Sequence, residues 1–472
     1  MSALFKFVAS LATCALVGAA AEASGSRELT LQDAVKYALE HSPELKSDGV
    51  EVTRREGLVT VARSSRMPQL DLAADAARSR FERGYPAGAP PALLRFDNTL
   101  YAAAAELKLL AWDFHKTEME IAAARERVLA ASSAAERRRQ EVIFETARLF
   151  LLSLTYTDLM RATEARIESL QALLDRTNQL VAAGRAVPLD ALKVRTRLAQ
   201  MESDLATLKS AHRSSLSALA AVMGYDGDLP ALCYSPATLP PSEPQATEAV
   251  LLASAVSLRP EIRSLDHEIQ AGEFALSAVR KSAWPRIDLR ASAIQYWSNT
   301  PVGFPQLIGG LLPSLAIHAP PAGNAATDWV LGAHVSLPLF DGSRRKGQQQ
   351  EAAARLQQLR LARRQLELRV SREVRTALAD LESAQSRFKA LRDSVAESER
   401  VLHDERLKFE AGRSVINFVL DAESALLANQ SLLSQAQRSV SIAELTLELT
   451  LGQLQAGRFA GSPPGEPVHV DR

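Results

Sequence analysis

Apolar positions along the chain follow two rhythms. In the second half Val370, Val374, Ala377, Leu381, Ala384, Phe388, Leu391 and Val395 alternate steps of four and three, the seam of a coiled coil. Val194, Leu198, Met201, Leu205 and Leu208 keep the same beat in the first half. An amphipathic helix of a globular bundle would carry a similar stripe. A helix from about Ser343 to Ala411, however, would be near 100 Å long at roughly 1.5 Å per residue, more than a compact domain holds. Elsewhere the period is two. Leu70, Leu72, Ala74 and Ala76 alternate with Asp71, Ala73 and Asp75, and Trp329, Leu331, Ala333, Val335 and Leu337 alternate with Asp328, Val330, Gly332, His334 and Ser336. These stretches predict strands with one apolar face, suited to a membrane barrel or to a half-buried soluble sheet.

Landmarks recur in order along the sequence. Ala38 to Leu45, with Pro43-Glu44, is answered by Ala255 to Ile262, with Pro260-Glu261, and Met67-Pro68 is answered by Trp284-Pro285. Further on, Trp112-Asp113 matches Phe340-Asp341, Ala183-Gly184-Arg185 matches Ala411-Gly412-Arg413, and Met223-Gly224 matches Leu451-Gly452. The order implies an internal two-fold repeat, with a longer strand-connecting loop in the second copy. The first copy covers residues 24–224: a short helix from Leu31 behind a Thr30/Asp33 cap, a break at Pro43, and a helix from Glu44 to about Ser65. A strand pair (about 69–109), a long helix (113–182) and a medium helix (188–223) follow. The second copy, 247–452, repeats the plan with strands at about 286–339 and helices at 343–411 and 415–451. Residues 225–246 hold five prolines and read as a linker, and 453–472 as a tail. In the first copy the two shorter helices together nearly match the long one in length. They could stack end to end beside it and build the wall of a hollow helical cylinder.

Composition narrows the class. The 472 residues are 47% hydrophobic, 23% charged and only 5% aromatic, as in long helices packed through small side chains. The 55 basic residues balance 55 acidic ones, which removes the electrostatic drive for nucleic-acid binding. Residues 1–23 combine Lys6, an apolar run from Phe7 to Ala21 and the motif Ala21-Glu22-Ala23, as in a cleaved signal peptide. Leu11-Ala12-Thr13-Cys14 is a weak match to a lipidation motif. After cleavage Cys233 alone remains, so an intrachain disulfide is not expected. The long segment from Ser298 to Thr327 is interrupted by prolines and cannot be a spanning helix, so entry into a membrane would have to be as a barrel.

Aromatic spacing points the same way. Tyr101 and Trp112, Trp284 and Tyr296, and Trp329 and Phe340 are 11 or 12 residues apart. At about 3.3 Å per residue, tilted strands would place the two rings of each pair roughly 25 to 30 Å apart, as in two interfacial girdles. Four strands cannot close a transmembrane barrel, and open edges are not tolerated in lipid, so protomers would have to share one. Candidate chemistry is sparse. No two of the histidines 41, 115, 212, 267, 318, 334, 403 and 469 are three or four apart, and no phosphate-binding or nucleophile-elbow motif occurs. No catalytic residues, metal ligands or cofactor are expected.

The opening Leu29-Thr-Leu-Gln-Asp-Ala-Val35 with His41-Ser-Pro43-Glu-Leu45, the repeat, the strand pairs and the two Ala-Gly-Arg turns together resemble the TolC-type outer membrane factors. The resemblance spans nearly the whole mature chain. It implies a mainly α protein with a small β part: a homotrimer with a shared twelve-stranded barrel in outer membrane lipid and a long periplasmic α-helical tunnel. The implied work is that of exit duct in a tripartite efflux pump or type I secretion system. Its partners would be a periplasmic adaptor and an inner-membrane pump of the RND or ABC type. By the same resemblance Gly184, Arg185, Gly412 and Arg413 mark adaptor docking, and Asp421, Phe418, Asp190 and Arg413 line a periplasmic gate. One departure stands out. Where the best-known member has a second acidic residue, three before the position of Asp421, this chain has Phe418, so the resemblance does not extend to a second acidic ring. A structural coiled-coil protein of the cell envelope that forms no pore remains the alternative class.

Overall fold

The structure is a computed structural model that describes residues 28–82, 95–183, 187–227, 229–233, 247–298, 325–410 and 413–459. The expected signal peptide with Cys14, the bulk of both strand-connecting loops, most of the proline-rich linker and the end of the tail lie outside the described residues.

The first half runs β1 (Leu29–Thr30), α1 (Leu31–His41), α2 (Pro43–Ser64), β2 (Gln69–Glu82), β3 (Arg95–Trp112), α3 (Lys116–Ala182) and α4 (Pro188–Met223). After β4 (Leu232–Cys233) the second half follows as α5 (Glu248–Leu258), α6 (Pro260–Lys281), β5 (Arg286–Ser298), β6 (Ala325–Ser336), α7 (Arg344–Glu410) and α8 (Ile416–Leu451), with a 3-10 turn at Ala456–Phe459. Both halves carry helices of 11, 22, 67 and 36 residues in that order.

Local chemistry sets these boundaries. The Thr30 hydroxyl accepts a hydrogen bond from the Asp33 N–H at 3.1 Å, capping α1. Pro43 and Pro260 each open a new helix one residue after the previous one ends. The first long helix begins three residues later than the sequence pattern suggests, and the second one residue later. At both starts the chain makes two successive left-handed residues, Phe114 and His115 (φ 55° and 66°) or Gly342 and Ser343 (φ 63° and 72°). The preceding aspartate then caps the helix: Asp113 Oδ2 accepts from the Thr117 N–H at 2.8 Å, and Asp341 Oδ2 from the Arg345 N–H at 3.2 Å. Two segments expected to be irregular are tied down. Within the proline-rich stretch, Leu232 and Cys233 pair in parallel with Leu29 and Thr30. The start of the tail buries Leu454 and Phe459 in the largest core, because the 3-10 turn covers apolar surface that α1 leaves open.

The chain divides into two compact units, and each draws on both halves of the sequence rather than following the repeat boundary. The first takes residues 1–50, 133–263 and 364–472. Of its three cores, two join helices from both halves and one lies wholly within the second half. One packs Leu31, Val35 and Ala38 of α1 against Val142 to Leu154 of α3, Met223 and Leu445, and a second joins Ala255 and Ile262 to Val370, Val374, Ala377 and Leu381. The coiled-coil seam read from the sequence is thus buried where α7 packs. The third core gathers Leu170, Val194, Met201, Leu402, Ile416, Val419 and Ala422 around the starts of α4 and α8. The second unit, 51–132 and 264–363, contains a four-stranded antiparallel sheet in the order β2-β3-β5-β6.

The repeated Met-Gly and Leu-Gly landmarks acquire a physical reason in the first unit. Gly224 and Gly452 end α4 and α8 in left-handed conformations (φ 68° and 71°) and press against the two helix breaks. A Cβ on Gly224 would lie 2.8 Å from the His41 carbonyl oxygen, and one on Gly452 would lie 3.1 Å from the Arg259 backbone. Gly224→Ala and Gly452→Ala should each cost about 1–2 kcal/mol from backbone conformation alone, and more from the contact. Thermal unfolding of the detergent-solubilised protein, followed by helical circular dichroism, checks this. Melting temperatures within error of wild type would mean that these junctions are loosely packed.

Candidate functional site

The strand register sorts the sheet into two chemically distinct faces. Tyr101 pairs with Ala76 and Trp297, Ala105 with Leu72 and Ala293, and Ala293 with Trp329. Side chains alternate across a strand, so Leu70, Leu72, Tyr101, Leu107, Leu289, Trp297, Trp329, Leu331 and Val335 share one face. Every one of them is exposed, Leu72 at 79% and Trp329 at 73%. The other face carries Asp71, Asp75, Glu106, Lys108, Asp288, Arg290, Asp328 and His334. On it Lys108 pairs with Glu106 at 3.1 Å, and Ala102, Ile294 and Tyr296 pack together. The sheet is an apolar surface backed by a charged one.

The proposed girdle residues fall unequally on this frame. Tyr101 and Trp329 lie on the apolar face. Tyr296 does not: it opposes Ala102, is only 5% exposed and belongs to the charged face, while its neighbour Trp297 holds the outward position. The twelve-residue spacing from Trp284 concealed this one-residue difference of face. Trp112 reaches the apolar face through a β-bulge, because the register shifts between Leu110 and Trp112 and brings Trp112 opposite Ile287. Trp284 and Phe340 flank the sheet and are exposed. Phe114, which the sequence did not single out, sets its ring at a tilt 5.1 Å from Trp284 and edge-on 6.1 Å from Trp112.

The second group of candidate residues lies at the starts of α4 and α8, in the first unit. Gly184, Arg185 and Gly412 are outside the described residues. Asp190 sits in the first turn of α4, and its N–H donates to the Val187 carbonyl at 2.9 Å. Arg413 precedes α8 and donates its backbone N–H to the Lys408 carbonyl at 2.8 Å. Phe418 and Asp421, in the first two turns of α8, are both exposed. Among the described residues no ion pair within the protomer involves Asp190, Arg413 or Asp421. Both helices start on a valine with no side-chain cap, and Val187, Leu189, Leu192, Val415 and Phe418 form exposed apolar surface around those starts.

A buried charge cluster beneath this surface escaped sequence reasoning. Glu423, two residues beyond Asp421, is 3% exposed and sits between two guanidinium groups: Arg166 of α3 and, at 2.6 Å, Arg406 of α7. Lys193 Nζ donates to Asn417 Oδ1 at 3.2 Å and Arg197 to the Ser424 hydroxyl at 2.9 Å, further polar ties between α4 and α8. Glu423 occupies an apolar-stripe position of α8, between Ala422 and Leu426, and a carboxylate at such a position is the one signal that could have marked it. Among the described residues there is no cluster of potential metal ligands, and no helix is long and apolar enough to cross a membrane.

The architecture is that of a mainly helical protein carrying a small amphipathic sheet. The family model for outer membrane efflux proteins matches residues 34–225 and 251–453, and the chain belongs to that family, one of channels rather than enzymes. It is 24% identical over 434 residues to the outer membrane efflux protein BepC of Brucella suis, covering 91% of this chain and 87% of that protein. It is also 24% identical over 426 residues to the solvent efflux pump outer membrane protein SrpC of Pseudomonas putida, covering 88% and 83%. Among solved structures, CusC superposes with a TM-score of 0.74 at 19% identity, over 89% of this chain and 92% of that one.

Glu423→Gln should destabilise the protein by about 3 kcal/mol, because it leaves Arg166, itself 8% exposed, without its counter-charge. Arg406 is about half exposed, so Arg406→Ala should cost less than about 1 kcal/mol. Denaturant titration of the two variants in one detergent compares them, and equal losses would show that the cluster is solvated.

Proposed function

We propose that the chain is one subunit of a homotrimeric exit duct in a tripartite efflux pump, with its four strands completing a shared twelve-stranded barrel in the outer membrane and its helices forming a periplasmic tunnel. One observation carries this reading: a four-stranded sheet whose two outer edges are unpaired among the described residues and whose apolar face is open across its whole width. Strands of 12 to 18 residues are long enough to cross a bilayer when tilted. In water the same surface would be an aggregation hazard. In lipid it must close edge to edge with other strands, and β2 of one copy meeting β6 of the next does so. A pore-free envelope scaffold would have no use for such a sheet. The charged face then lines the lumen.

The reading extends to the helix starts. The exposed apolar side chains of Val187, Leu189, Val415 and Phe418, with Gly184, Arg185, Gly412 and Arg413 beside them in the sequence, suit docking of an adaptor hairpin by coiled-coil packing. The adaptor links the duct to an inner-membrane pump of the RND or ABC type. The relatives' names favour efflux of small molecules over type I protein secretion. Repeated by threefold symmetry, Asp421 contributes one acidic ring to a closed periplasmic tip. Phe418 supplies apolar packing where a second acidic ring would otherwise add repulsion. Asp190 and Arg413, which form no ion pair within a protomer among the described residues, are placed to pair across subunits. Uncapped helix starts make this end locally weak, so an adaptor could shift it with modest binding energy.

Two measurements test the proposal. The mass of the detergent-extracted protein should be that of three chains, and a stable membrane-inserted monomer would rule out the shared barrel. In planar bilayers Asp421→Ala should weaken block by divalent cations, while Asp190→Ala and Arg413→Ala should raise resting conductance. If all three variants conduct and block like wild type, these residues are ordinary surface charges.

A further inference from the structure

Cations adjoin apolar side chains at the helix–strand junctions of the sheet unit, and they divide into two kinds. Some are neutralised locally: Arg66 pairs with Glu118 at 2.9 Å, Lys116 with Glu120 at 3.5 Å and Arg345 with Asp341 at 2.7 Å. Others are not. Among the described residues Arg280 and Lys281, in the last turn of α6, and Arg344 and Lys346, in the first turn of α7, form no ion pair with a carboxylate. The first turn of α7 contains no acidic residue.

These four cations lie next to exposed aromatic rings in the chain; Arg344 also acts on the Asp341 carboxylate, whose ion-pair partner is Arg345. Trp284, three residues after Lys281, is 56% exposed, and Phe340, four before Arg344, is 89% exposed. Leu337 and Leu339 are exposed as well, and they continue the apolar face of β6 beyond the end of the strand. Along both connections the surface therefore passes from wholly apolar, through an aromatic ring, to net positive within a few residues. That sequence matches the layers of a phospholipid boundary, where acyl chains give way to the interfacial zone that holds aromatic rings and then to phosphates.

We infer that the α6–β5 and β6–α7 junctions form a binding surface for anionic phospholipid headgroups, with Arg280, Lys281, Arg344 and Lys346 contacting phosphate and Trp284 and Phe340 embedded beside the upper acyl chains. The inference rests on the lipid-facing reading of the sheet given above and adds a headgroup preference to it. An acidic protein partner would use the cations but has no claim on rings continuous with the lipid-facing surface. A cation at an anionic bilayer surface strengthens attachment about fivefold when its charge is not already spent, which singles out these four over the paired Arg66, Lys116 and Arg345.

The test uses the full mature protein extracted from outer membranes and reconstituted into bilayers of brominated phosphatidylcholine with rising fractions of unbrominated phosphatidylglycerol. Quenching of tryptophan fluorescence reports which lipid occupies the protein boundary. Wild type should prefer phosphatidylglycerol at least about threefold, with the preference weakening as salt is raised. The quadruple variant Arg280→Ala, Lys281→Ala, Arg344→Ala, Lys346→Ala should bring it close to one, while Lys281→Arg with Lys346→Arg retains it. No preference in wild type, or a preference that survives in the quadruple variant, overturns the inference. So does its abolition by millimolar inorganic phosphate, which would indicate a site for the free anion. Normal single-channel conductance without headgroup preference removes this inference alone, whereas failure of wild type to insert into either bilayer removes the lipid-facing reading with it.

Discussion

Backbone hydrogen bonding along the two outer strands is the constraint on which the rest of the structure turns. Within the described chain β2 and β6 each have one strand neighbour, so each presents a full edge of N–H and C=O groups. Water could satisfy those groups, but the exposed face between the edges is a sheet of Leu, Ala, Val, Tyr and Trp that water does not favour. Lipid suits the face and leaves the edges unpaired at a cost of several kcal/mol per group. Only another copy of the same edges reconciles both demands. A barrel shared between copies therefore follows as a proposal from a property of the single subunit, while the number three is what the family likeness implies.

The helical unit solves a different problem, that of holding long helices in register with few large aromatic side chains. Its cores are built mainly from Ala, Leu and Val, as expected for coiled-coil seams, with Phe150 and Phe459 buried in one of them. What sets the register is a pair of backbone-to-backbone contacts. The glycines that end α4 and α8 rest on the breaks between α1 and α2 and between α5 and α6, where no side chain could intervene. The two junctions are alike in backbone and different in chemistry. Ser42 is buried at the first, while at the second Arg259 is buried, donating to the Thr450 carbonyl at 2.6 Å and pairing with Glu373 at 2.6 Å. Arg137 and Gln140 reach the Leu449 and Gly452 carbonyls beside it, so the carbonyl end of α8 is satisfied by side chains from α3 and from the α5–α6 break.

Around the starts of α4 and α8 the balance is between a firm interior and a soft surface. Glu423, Arg166 and Arg406 tie three helices together beneath a layer whose helix starts are uncapped and whose apolar side chains are open. Exposed Asp421 and Phe418 thus stand on a buried, charge-paired base.

The sequence by itself determined the elements and their order, since periodicity, prolines and capping residues act over a few residues and leave local marks. The seam at Val370 to Leu381, the breaks at Pro43 and Pro260 and the alternation in β2 and β6 were all legible for that reason, as was the likeness to a family of outer membrane channels. Wherever one residue of register mattered, sequence spacing was not enough. Tyr296 and Trp297 exchange faces because side-chain direction flips at each step of a strand, and a bulge opposite Ile287 decides where Trp112 points. The pairing of Leu232 and Cys233 with Leu29 and Thr30, the burial of Phe459 and the enclosure of Glu423 by two arginines join residues far apart in sequence. No local pattern encodes such contacts, because they exist only once packing has brought separate helices and strands together; they were the tertiary structure's to decide.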